Sequence, residues 1–134
     1  MGQDLLVTEQ IDAGADFVRD FNQYVNVSAA CWVNPADTDN LFLYVASDDI
    51  DDGNIVAAYG EVLRILRGKG NFWLDPFQVK LVNTSDAVAR DAVQMRDRFP
   101  ARLPTRFQGS SFGGISVNPP VYIYPRMSTL TAAP

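Results

Sequence analysis

The stretch VNVSAACWVNPADTDNLFLYVAS, residues 25–47, decides the fold. Its first nine residues are rich in β-branched and small apolar types, the composition of a strand, and NPADTDN supplies turn-forming residues. LFLYVAS, at 41–47, reads as a second strand. Two strands joined by a short polar loop pair most simply as an antiparallel hairpin. Because both are apolar on their two faces, they belong near the middle of the sheet.

Outward from this hairpin the periodicity changes. Residues 8–24 place Ile11, Ala15, Val18 and Phe21, continued by Val25, at steps of three and four, the spacing of one helical face. Downstream, IVAAYGEVLRILRGKG carries Ile55, Tyr59, Val62, Leu63 and Leu66 as a stripe, with Gly68 as a stop. FQVKLVN, at 77–83, reads as a strand, and Thr84 or Ser85 is placed to cap a third helix whose stripe is Val88, Ala92, Met95 and Phe99. Pro100 and Pro104 end that helix, and TRFQ, a run near ISV and VYIY at 121–124 form short final strands. The predicted order is α-β-β-α-β-α-β-β. It describes a single α+β domain over residues 1–126, with a mixed or antiparallel sheet of about four to five strands and three helices packed mainly on one face. MSTLTAAP, residues 127–134, reads as a flexible C-terminal tail.

A chain of 134 residues with 47% hydrophobic content is long and apolar enough to bury one core. Eleven Lys and Arg against 16 Asp and Glu leave a net charge of −5, a field that repels nucleic acid and anionic lipid and favours a basic partner. MGQDLLVTEQ lacks a basic segment leading into an apolar run, and Leu6 stands where an acylation signal needs Ser or Thr. The lone Cys31 lies in an apolar run with no basic neighbour, so a buried, inert thiol is expected. Together these features predict a cytoplasmic protein that neither spans nor coats a membrane.

With no histidine, a Ser-His-Asp triad, a Cys-His pair and His-containing zinc sites are beyond this chain alone. SDDIDDGN is the densest acidic stretch, but it fails as a calcium loop. With Gly53 at the sixth position, Ile50 and Tyr59 fall where oxygen ligands are needed. A metal-dependent nuclease built on Asp48, Asp75 and the QVK of residues 78–80 fails on Gln78, a neutral amide where a charged ligand belongs. The acids there serve better as helix N-terminal caps. No motif calls for a cofactor.

GSSFGG, at 109–114, lacks the Lys-Ser or Lys-Thr ending of a phosphate loop and leads into a strand instead of a helix. It reads first as a turn with Phe112 folded onto the core. The alternative is an anion cradle in which Arg102 and Arg106 converge on Gly109, Ser110, Ser111 and Gly113. KGNFWLDPF, at 69–77, concentrates aromatics in a connection that plugs a core edge, or, with Trp73 exposed, forms a binding hot spot.

The leading functional expectation is a non-catalytic interaction module, such as an inhibitor or accessory subunit. Trp73 and Phe72 make the contact, and Asp37, Asp39, Asp49 and Asp51 form an acidic rim for a basic protein. The alternative is a small anion- or metal-dependent enzyme or ligand-binding domain using the Arg102 and Arg106 loop. Self-association through an apolar edge at VYIY is a further expectation.

Overall fold

A computed structural model describes residues 6–69, 73–98 and 104–131. Strand β1 (Ala29–Val33) and strand β2 (Phe42–Ala46) form the expected antiparallel hairpin, with Trp32 opposite Leu43 and Ala30 opposite Val45. Helix α1 (Thr8–Phe21) precedes them, and helix α2 (Ile55–Lys69) carries the chain to β3 (Val79–Val82), which pairs with β2 in parallel. Helix α3 (Ala87–Arg98) follows, then β4 (Thr105–Phe107), a hairpin of β5 (Ser111–Phe112) and β6 (Ile115–Ser116), β7 (Val121–Ile123) and the short α4 (Met127–Leu130). The main sheet is mixed, in the order β3-β2-β1-β7-β4.

Strand alternation sorts side chains into two cores. One face presents Ala30, Trp32, Leu43, Val45, Val79, Leu81, Tyr122 and Tyr124 to α1 and α2. The opposite face presents Ala29, Cys31, Val33, Val121 and Ile123 to Val88 and Ala92 of α3 and to Phe112. Two of the three long helices thus share a face, and α3 takes the other. Phe99, the last residue of the expected α3 stripe, lies outside the described residues, and Met95 packs at the margin of the second core.

Four details differ from the sequence reading. First, α2 is rotated: Ala58, Val62, Ile65 and Leu66 are buried, while Tyr59 and Leu63 are exposed. Second, Asp86 caps α3 in place of Thr84 or Ser85, its carboxylate accepting the Val88 amide at 3.0 Å. Third, VYIY is no edge. β7 lies between β1 and β4 and is buried throughout, so its apolar residues fill an interior position of the sheet. Fourth, residues 127–130, expected in a tail, form α4, whose Met127 and Leu130 pack on the first core.

The close approach of α1 to the sheet depends on Gly14. A Cβ there would collide with the Tyr124 hydroxyl and crowd the Trp32 indole. That hydroxyl accepts from Trp32 Nε1 (2.9 Å) and donates to the Ile11 carbonyl (2.6 Å), so both buried polar groups are satisfied. Burial pushes the Tyr124 phenol strongly up, against a smaller opposing effect of the Trp32 hydrogen bond.

Candidate binding surface at the β3 edge

The connector between α2 and β3 divides its apolar residues sharply. Leu74 is buried, Trp73 is 39% exposed, and Phe77 is 90% exposed. The cause is local: Asp75 caps a one-turn 3-10 helix, Pro76–Gln78, with its carboxylate accepting the Phe77 amide at 2.8 Å. The Gln78 side chain returns a bond to the Asp75 amide at 2.9 Å, and Pro76 sets the first turn. This turn holds Phe77 outward at the mouth of β3.

Beside Phe77 runs an apolar groove of about 440 Å³ lined by Tyr59, Val62, Leu63, Pro76, Val79 and Lys80. The roll of α2 away from its expected stripe creates it. The helix is apolar over a wide arc, of which the core takes Ala58, Val62, Ile65 and Leu66 and leaves Val56, Tyr59 and Leu63 as a second, exposed stripe. On the other side of Phe77, Gln10, Asp39, Asn40, Leu41, Phe42 and Gln78 line a more polar depression. The Lys80 ammonium sits 4.5 Å from the Phe42 ring centroid.

The expected acidic rim divides between the two ends of the sheet. Asp37 and Asp39 lie in the β1–β2 loop, at the end where the connector enters β3, because β3 runs parallel to β2. Asp49 and Asp51 follow β2 at the opposite end, about 13 Å away by strand rise alone. There they hold loops in place. Asp49 accepts the Asn26 amide (2.9 Å), and Asp51 accepts those of Gly53 (2.8 Å) and Asn54 (3.0 Å) just before α2. Asp48 engages Thr84. No group of three or more potential metal-ligating side chains occurs among the described residues. Phe72 and Arg102 lie outside the described residues.

The GSSFGG segment enters β5 and ends in a two-residue hairpin turn. Gly113 and Gly114 have φ of 61° and 78°, the positive values that join twisted strands tightly. Its Gly113 amide donates to the Asp91 carboxylate at 2.7 Å, so a negative group already occupies the position an anion would need. Phe112 is buried in the second core, Ser110 and Ser111 are exposed, and Gly109 packs near the Phe107 ring. Arg106 pairs with Tyr122 across β4 and β7 and lies over its ring, which places it on the α1 face. The hairpin covers the α3 face. Arg106 and the loop therefore do not converge.

Cys31 lies beneath α3, where burial, with a smaller contribution from Asp86, pushes its thiol up to about 12. It is held as a neutral packing group.

Phe77, Tyr59 and Leu63 escaped the sequence reading. Asp-Pro followed by Gln78 was a legible signal of a helical turn, which would have removed Phe77 from the strand. The exposure of Tyr59 and Leu63 had no such signal, since the whole arc of α2 is apolar. No family model, curated protein or solved structure matches this chain.

Proposed function

We propose that this chain is a non-catalytic protein-interaction module that engages a basic partner through the surface around Phe77. The observation that carries this reading is an aromatic side chain 90% exposed beside an apolar groove. Water contact with such a surface is unfavourable by roughly 25 cal/mol per Å² of apolar area, and a partner that covers it recovers that free energy. Half-exposed Trp73 lies four residues away and supplies a second rigid anchor.

Charge supports the basic partner. The net charge is −5, and Asp37, Asp39 and Asp75 at this end of the sheet form no ion pair among the described residues. Of the α2 cations, Arg64 and Lys69 are paired with Glu61 and Asp20, and Arg67 forms no ion pair among the described residues.

The test is retention of lysate proteins on tagged wild type, Phe77→Ala and Trp73→Ala, washed at low and high salt, with composition read by mass spectrometry. The expected result is one stoichiometric basic protein, released by salt and lost with Phe77→Ala. Identical retention by wild type and Phe77→Ala would overturn the assignment of this surface.

A further inference from the structure

We infer that the segment seated on the Phe77 groove is a basic amphipathic helix of the partner, and that a strand added to β3 is not the mode of recognition. The inference rests on the binding reading above and concerns how the surface is read.

An edge strand recruits another strand through its outward amides and carbonyls. In β3 the Val82 carbonyl accepts the Ser47 amide, so Lys80 and Val82 face β2 and the alternate residues Val79 and Leu81 face outward. Both outward amides are taken. Val79 N–H donates to the Pro76 carbonyl, and Leu81 N–H donates to the Tyr59 hydroxyl at 3.0 Å. An incoming strand would find no free donor on β3 and would have to displace Tyr59.

A helix needs no edge amides, because its own backbone is already bonded, and it binds through side chains at i, i+3 or i+4 and i+7. The exposed row Val56, Tyr59 and Leu63 spans eight residues of α2, about 10 Å by helical rise. That length matches two turns of a docked helix. The groove between this row and Pro76–Phe77 holds apolar side chains in its 440 Å³. At the flank, Asp39 and Asp75 offer carboxylates for Lys or Arg on the helix margins, while Lys80 is turned onto Phe42.

The probes are three synthetic peptides: Leu and Lys in the helical period, the same composition in strict alternation, and a helical-period peptide with Glu replacing Lys. Binding is followed by amide chemical shifts and titration. The helical Leu/Lys peptide is expected to perturb Tyr59, Leu63 and Phe77, and to lose roughly tenfold or more in affinity on Phe77→Ala. The Glu peptide is expected to bind at least about tenfold more weakly. Equal or tighter binding by the alternating peptide, or equal binding by the Glu helix, overturns the inference. If the lysate experiment yields a Phe77-dependent partner but the helical peptide fails, only the helical mode falls. If neither shows Phe77 dependence, the surface itself falls. A Phe77-dependent dimer in sedimentation would make a second copy of this chain the occupant and overturn the basic helix.

Discussion

Two aromatic regions of this molecule share a composition and differ in what covers them. At the Trp32 junction, Trp32, Tyr122 and Tyr124 of the sheet lie beneath Phe17 and Phe21 of α1, which comes close because Gly14 has no side chain. At the β3 edge, Tyr59 and Leu63 of α2 are part-exposed beside the almost fully exposed Phe77. Aromatic content therefore does not separate core from surface here. The difference lies in the connecting backbone: a glycine draws a helix onto one cluster, and a capped 3-10 turn carries Phe77 away from the other.

The comparison breaks first at Trp32. Trp32→Ala removes a large buried side chain and leaves Tyr124 without its donor, so a loss of about 3–5 kcal/mol is expected in chemical denaturation. A loss below about 1 kcal/mol would mean that the junction is not the closed core described. The second covered region is tested by Asp91→Ala, which leaves the part-buried Gly113 amide without its acceptor. The expected cost is about 1.5–3 kcal/mol, with the β5–β6 hairpin losing hydrogen-exchange protection first. Unchanged protection there would show that the carboxylate does not anchor the turn.

Cys31 sharpens the same contrast through pH. Its folded thiol titrates near 12, above the ordinary 9.0, so its contribution to stability is complete below about pH 9 and declines from there toward pH 12. At pH 10 the decline is about 1.4 kcal/mol and should vanish in Cys31→Ala. The thiol should also resist a disulfide reagent until the protein unfolds; rapid labelling of the native protein would contradict its burial.

The open region should respond less in stability. Tyr59→Phe frees the outward Leu81 amide and is expected to cost about 0.5–1.5 kcal/mol while opening β3 to strand-forming peptides. Smallest of all, Phe77→Ala should alter stability by no more than about 0.5 kcal/mol while abolishing partner retention. A large destabilisation by Phe77→Ala would place that ring in the core and erase the contrast.

The β1–β2 hairpin was legible because its signal is local: apolar strands on either side of NPADTDN leave one simple pairing. The α3 stripe was legible through Val88 and Ala92, whose helical spacing has one apolar solution. Helix α2 has two. Its stripe through Ile55, Tyr59, Val62, Leu63 and Leu66 overlaps the buried set at Val62 and Leu66, and periodicity cannot choose how far the helix rolls. The acidic loops looked adjacent in sequence, since Asp39 and Asp49 flank a single strand, yet a strand separates whatever it joins by its own length. Arg106 and the glycine turn are likewise close in sequence and lie over opposite faces, because strand alternation sends the arginine toward α1 while the chain folds back under α3.

By itself the sequence determined the α+β class, the central hairpin, the turn at Gly113 and Gly114, and an acidic chain without histidine chemistry. Each of these follows from spacing, backbone preference or composition within a few residues. Only the tertiary structure decided that VYIY is an interior strand, that α2 rolls to expose Tyr59 and Leu63, and that Phe77 stands uncovered beside a groove. Those outcomes depend on which distant segments compete for the same face of the sheet, and local periodicity does not encode that competition.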